Sequence, residues 1–434
     1  MPLPGSEMPG VLIIASAFHP AANIGARRPT KVAIGLRNKG WDVRVLTLPP
    51  SCFERLDAEW NAEAAAGLSV TRVACGSLWA HTSRWRNARG TGRLALQAGR
   101  AVAQALKPLC PVDDLYPWVA RAAATGKRLV QDTNTRLIWA TVPKYSALWL
   151  GDRIAQATGA KLIVDFRDVL DRNVPGGQVT LIPRMYEEER AIMARTDGFT
   201  YVARSQREAV IANYPVAAEK SSCFVPNWID SSAVSDGNSR TFSSPTIVHG
   251  GSLYGGTRRL DGFVEALALV RSNPKFATLR FLSFGPEVDA AYLKSLAARY
   301  GLEDAVDVEA PVPADAFMEY CRGAAVLLLP IGRDSGVVSH AHAVPGKLFD
   351  YFAARRPILV TGPAGSEAGS ITRDVRRGLE AGDDDPQSIA TCIENLLSGQ
   401  AEGHLDLSEE AVRKYGSEDV ILRLDSFLRS RLAC

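Results

Sequence analysis

The 434-residue chain has no apolar run approaching the ~18 residues that a membrane-spanning helix needs. Its first apolar segment, Val11 to Phe18, is eight residues long and reads as a buried strand, not as the apolar core of a secretory leader. The seven cysteines are scattered from Cys52 to Cys434 and form no C-x-x-C pair. That excludes a paired-cysteine zinc site and suits reduced thiols in a cytoplasmic protein. There is no G-x-G-x-x-G, which argues against a nicotinamide cofactor. A net charge of +3 is too small to indicate nucleic acid. Asp383 to Asp385 directly precedes PQSIATCIENLL, and Asp113-Asp114 also precedes a helical pattern. Both read as helix caps, so the expectation is no metal and no cofactor.

What the chain does have is a patterned stretch from Ala325 to Gly362. Ala325 to Pro330 is an unbroken apolar run, as expected of a strand buried on both faces. The loop Ile331 to Val344 follows, with Asp334, His340 and His342, and is long for a connection in an α/β unit. Pro345 then opens a short amphipathic helix, PGKLFDYFAA, and Pro357 to Thr361 is a second apolar strand. The free N–H groups of Gly346 and Lys347, the Lys347 charge and the helix dipole together suit an anion site. Asp350, three residues on, shares a face with Lys347 and suits hydrogen bonds from ribose hydroxyls. A proline-started helix with an ordinary Lys–Asp surface pair fits the same residues.

Two βαβ patterns frame this stretch. The first runs from Val11 through the loop His19 to Ala26, with Asn23 and Gly25, into a helix ending near Asn38 and a strand Asp42 to Leu48. Gly25 thus lies at the carboxyl edge of strand one, where open α/β sheets bind ligands. The strand Lys161 to Val164 ends in Asp165-Phe166-Arg167-Asp168, three charges that either pair with one another or serve a site. The second pattern begins at Ile247 to His249 and continues GGSLYGGTRRLDGFVEALALV. Gly250, Gly251, Gly255 and Gly256 would let a diphosphate sit on the turn, neutralised by Arg258 or Arg259.

P-x-K-L-F-D-Y-F-A, the D-F-R-D at Asp165 to Asp168, the V-P-N-W-I-D at Val225 to Asp230 and the opening H-P-x-x-x-x-G-x-R-R together resemble retaining GT-B glycosyltransferases of the family-four type, the group 1 glycosyl transferases. The resemblance implies two Rossmann-like α/β domains facing across a cleft. It implies a nucleoside diphosphate sugar as donor and a glycan or lipid-linked acceptor, without metal. Asp165, Arg167 and His342 are then the catalytic candidates. Gly25, Gly251, Ser252, Arg258, Arg259, Gly346, Lys347 and Asp350 are the donor-binding candidates. Asp350 stands where the family has its second glutamate, and His342 where it has its first. Ser252 stands where an arginine is expected, and Trp228 replaces a glycine. A nucleotide-sugar 2-epimerase of the same fold, or a non-catalytic nucleotide-sugar-binding subunit, are the alternatives.

The expected organisation is an acceptor domain over residues 1–230, a linker over 231–245, a donor domain over 246–410 and a terminal helix over 411–434 that crosses back to the first domain. Leu78 to Pro108 carries Arg84, Arg86, Arg89, Arg93, Arg100 and Lys107 with Trp79 and Trp85, and no acid. This fits peripheral docking on the cytoplasmic face of a membrane, or a basic helix packed on its own domain. If it docks, each engaged cation contributes about 1 kcal/mol near anionic lipid. Liposome co-sedimentation should then rise with anionic lipid, fall with salt, and drop when Arg84, Arg86 and Arg89 become glutamate. Wild-type protein left in the supernatant with strongly anionic vesicles at low salt would rule docking out.

Overall fold

A computed structural model describes residues 8–76, 112–113, 115–167, 183–229, 237–254, 257–333 and 344–433. They form two compact units, one of residues up to Pro226 together with Ile421 onward, the other of Asn227–Val420. The 78–108 stretch, Asp168, Gly255, Gly256, Asp334, His340 and His342 lie outside the described residues. No helix among the described residues is long and apolar enough to cross a membrane.

The first unit holds a seven-stranded parallel sheet: β1 (Gly10–Ile14), β2 (Asp42–Thr47), β3 (Ser69–Arg72), β4 (Thr135–Val142), β5 (Lys161–Phe166), β6 (Gly198–Tyr201) and β7 (Ser222–Phe224), in the order β3-β2-β1-β4-β5-β6-β7. The second holds a six-stranded parallel sheet: β8 (Thr246–Gly250), β9 (Arg280–Phe284), β10 (Val306–Glu309), β11 (Val326–Pro330), β12 (Ile358–Gly362) and β13 (Gly378–Gly382), in the order β10-β9-β8-β11-β12-β13. β1, β8, β11 and β12 are buried at every position. That is why their sequences run continuously apolar instead of alternating. In each sheet the strand order reverses once, between β1 and β4 and between β8 and β11. The loops leaving the two strands at such a reversal diverge, and the crevice between them is where doubly wound folds bind ligands.

The expected boundaries shift. Residues at the end of the expected linker are docked within the second unit, where the Arg240 N–H donates to the Glu319 carbonyl at 2.9 Å and Arg322 donates to the Asn238 carbonyl at 3.3 Å. The terminal helix is Ser417–Ala433, and it joins the first unit from Ile421 on. There the Trp41 indole donates to Asp425 at 2.6 Å, and Ile421 fills the space that a side chain at Gly35 would need.

Asp165 and Arg167 take their places in the first unit through one helix, Ile24–Asn38. Asn23 caps that helix, its side chain accepting from the Ala26 N–H at 3.0 Å. Pro29 lies inside it and has no N–H to offer the carbonyl four residues back. That carbonyl belongs to Gly25, and Arg167 Nη1 donates to it instead, at 2.8 Å. The residue before Pro29, Arg28, is 4% exposed and reaches Asp165 through Nε at 2.9 Å and Nη2 at 2.7 Å. It also donates to the Val225 and Pro226 carbonyls, at 2.8 and 3.1 Å. Thr141 and Thr200 donate to the two remaining acceptor positions of Asp165, at 2.9 and 2.6 Å. A carboxylate offers about four lone-pair positions, and here each is used. Through Arg28, Asp165 clamps the first helix and the Val225–Pro226 backbone to β5, and Arg167, just past that strand, ties down the helix start at Gly25.

Removing one member of a buried, hydrogen-bonded ion pair strands the other and typically costs about 3–5 kcal/mol. Asp165→Ala should thus lower the urea midpoint of the first unit by that order. Tryptophan fluorescence reports on this unit, since Trp228 is the single tryptophan after Pro226 and the other seven precede it. An unchanged midpoint would refute the clamp.

Candidate functional site

The site is built where β8 and β11 part, in the second unit. β8 ends in His249 and Gly250, and Gly251 follows with φ +110°, a conformation that suits glycine. The Gly251 N–H donates to the Phe284 carbonyl at 2.7 Å, which fixes the turn to the end of β9. Leu253 N–H donates to the buried Asp289 carboxylate at 2.7 Å. The chain then doubles back, and the Arg258 N–H donates to the Leu253 carbonyl at 3.1 Å.

From the other side of the reversal comes the helix Lys347–Ala353, with Gly346 as its N-cap residue. It starts two residues later than the proline predicts, and it is not amphipathic: Leu348, Phe349, Tyr351, Phe352 and Ala353 are all buried. A seven-residue helix is marginal alone, so its position rests on this burial, about 1.5–3 kcal/mol for each large apolar side chain. Tyr351 adds direction, its hydroxyl accepting from the Gly250 N–H and donating to the Leu328 carbonyl, both at 3.3 Å. β8, β11 and the helix start are thereby held in one register.

This places Lys347 against Gly251. A Cβ on Gly251 would lie 1.7 Å from Lys347 Nζ and 2.6 Å from Cε, so the glycine is required by the lysine as well as by the turn. Burial first, and the Arg258 guanidinium second, lower the Lys347 pKa from 10.5 to about 8, while Asp350 one turn on partly opposes them. Burial likewise lowers the Arg258 pKa. Neither cation forms a salt bridge among the described residues. Two half-buried positive charges next to a glycine turn at a sheet reversal make a preformed site for a polyanion.

The remaining candidates divide. Ser252 shapes the turn: its Oγ accepts from the Tyr254 N–H at 3.0 Å and its carbonyl from Arg258 at 3.3 Å. Arg259 is exposed and pairs with Asp261 at 3.3 Å, so of the two expected arginines it is Arg258 that joins Lys347. Gly25 belongs to the first unit and abuts the Arg167 guanidinium, with a built Cβ 2.9 Å from Nη2. Asp383 to Asp385 do cap a helix, Asp385 accepting from the Ser388 N–H at 3.0 Å, and Asp383 and Asp384 hold Arg333. No cluster of metal-ligating side chains occurs among the described residues.

Sequence reasoning missed His249. It is 1% exposed, its Nδ1 lies 3.0 Å from Ser283 Oγ, and its Nε2 has no partner among the described residues. Burial, then Lys347 and Arg258, hold its pKa far below the ordinary value, so the ring is neutral. A lone polar residue inside an apolar strand was the available signal. Tyr254 and Asp289 had no signal of their own, because their roles arise only from the path of the turn.

Residues 244–399 match the family model described as "Glycosyl transferases group 1". No curated protein matches. Similar solved structures include a sucrose-phosphate synthase from Thermosynechococcus elongatus (15% identity, 98% of this chain and 100% of that one, TM-score 0.64). A glycosyltransferase from Rickettsia africae is similar too (12%, 98% and 99%, 0.65). So is Anabaena HepE in complex with UDP-glucose (13%, 97% and 99%, 0.60). At such identities the likeness concerns the fold, which is GT-B over the whole chain. The residues matched to that family model, 244–399, include Gly251, Arg258 and Lys347.

Proposed function

We propose that the protein is a retaining, metal-independent glycosyltransferase that moves a sugar from a nucleoside diphosphate sugar to a glycan or lipid-linked acceptor. The observation that carries this reading is the pair Lys347 and Arg258 beside Gly251, which form no salt bridge among the described residues. Apart, each cation would be better solvated in water. Held together, half-buried and without a salt bridge among the described residues, they gain most when a diphosphate binds between them. HepE, whose fold is similar, has been seen with UDP-glucose.

The chemistry follows from where charge develops. As the bond from the sugar to the diphosphate breaks, negative charge grows on the departing phosphate oxygen. Cations already in place stabilise that state more than the ground state and need no reorganisation. Because side chains supply this charge, a divalent ion is not needed to supply it. For transfer with retention, the departing phosphate oxygen takes the acceptor's proton on the same face of the sugar. That step asks no base of the protein, and none is assigned. His342 stands outside the described residues, and its part in holding the sugar is left to the resemblance.

Lys347→Ala should weaken donor binding by about 2 kcal/mol, roughly thirtyfold, the worth of a hydrogen bond to a charged group. The fold should persist. Unchanged affinity in titration calorimetry would overturn the assignment. The lowered pKa adds a pH signature. Lys347 loses its proton as pH rises through about 8, so donor affinity should fall across that range. The free protein moves the other way: between about 8 and 10.5 the unfolded lysine holds a proton that the folded one has lost, so stability should rise with pH. Opposite slopes for affinity and for unligated stability are the expected result; parallel slopes would exclude Lys347 as the titrating group.

Sugar transfer should also continue in excess chelator. Complete loss, restored by magnesium or manganese, would show that the side chains do not supply the neutralising charge.

A further inference from the structure

Tyr254 is an unusual residue for its place. It is 63% exposed and adopts φ +52°, a left-handed conformation that glycine or asparagine takes at less cost. The turn is built to keep it there. Its N–H donates to Ser252 Oγ at 3.0 Å, and its carbonyl accepts from Thr257 Oγ1 at 2.9 Å and from the Thr257 N–H at 3.3 Å. A bulky, exposed, strained residue held by its neighbours is retained for what its side chain does.

What the side chain does is visible one step along the turn. The Arg258 guanidinium carbon lies 4.7 Å from the centre of the Tyr254 ring. The other contact holding that guanidinium is the Ser252 carbonyl, at 3.3 Å from Nη1. Several other arginines of the second unit are oriented by acids, Arg333 by Asp383 and Asp384, Arg280 by Asp307 and Arg271 by Asp304, while Arg376 and Arg377 are held by carbonyls and Arg240 lies over the Tyr320 ring. A carboxylate orients an arginine but also cancels its charge. An aromatic face orients it through the ring quadrupole and leaves the charge intact.

We propose that Tyr254 is a positioning residue for Arg258, its ring holding the guanidinium at the diphosphate site without neutralising it. The inference rests on the donor-site reading above and names the device that keeps one of its two cations both ordered and fully charged. Serine at 252, where an arginine was expected, leaves Arg258 as the cation of this turn that faces Lys347, which makes its orientation the more consequential.

The test compares Tyr254→Phe, Tyr254→Gly, Arg258→Ala and the double variant Tyr254→Gly/Arg258→Ala, titrated with UDP, GDP and ADP at fixed salt, the tightest binder of the wild type serving as probe. Tyr254→Gly should weaken binding about five- to tenfold, the range of a partly desolvated cation–π contact. Its melting temperature should hold or rise, because glycine relieves the left-handed backbone. Tyr254→Phe keeps the ring face and should bind as the wild type does. In the Arg258→Ala background, Tyr254→Gly should cost nothing further. If Arg258→Ala weakens binding while Tyr254→Gly does not, or if the two losses simply add, the positioning role is wrong and the donor site stands. A lower melting temperature for Tyr254→Gly would mark a packing role and equally overturn it. If Arg258→Ala changes nothing, or no nucleotide binds the wild type, the donor-site reading itself falls and takes this inference with it.

Discussion

Lys347 and Arg258 repel one another, and much of the second unit is arranged so that they cannot separate. Lys347 is fixed at the start of a helix whose next residues are almost all buried, and the Tyr351 hydroxyl ties that helix to β8 and β11. Arg258 is fixed by a turn pinned at both ends, to β9 through Gly251 and to Asp289 through Leu253. The work of holding like charges together is thus spread over strand pairing and apolar burial. The second unit can then hold two positive charges side by side at the end of its sheet.

The first unit uses charge in the opposite sense. Arg28 and Asp165 are as deeply buried as any pair in the molecule, and every hydrogen-bonding position of the carboxylate is met. Such a pair has nothing left with which to attract a ligand. Comparing the two clusters gives a simple criterion: satisfied buried charge marks structure, and unsatisfied half-buried charge marks a site.

The criterion also shows where reading the sequence stopped. The buried strands were legible because continuous apolar runs have one cheap solution in a doubly wound sheet. Short peripheral strands such as β3, β7 and β13 were not, since three to five mixed residues carry no clear period. Lys347, Gly251 and Arg258 were visible as a lysine at a helix start and a glycine turn with arginines after it. The choice between Arg258 and Arg259 was not, because it depends on Asp261 capturing one of them. Asp165 and Arg167 stood out as charge at the carboxyl end of a buried strand. Arg28 and the Gly25 carbonyl, which they meet in the fold, lie 137 and 142 positions away in the chain, beyond any local pattern.

That separation bears on how the chain comes to fold. Among the described residues Arg167 fills the gap that Pro29 leaves in the first helix, and Arg28 meets the Asp165 carboxylate. During synthesis the ribosome releases the helix long before either partner exists. Loop closure over so many residues is entropically slow, and until it occurs the amino-terminal helix carries an open carbonyl and a bare guanidinium. A chain that ended before residue 167 would therefore lack both partners of the first helix, and the unit is complete only with the residues from Ile421 on.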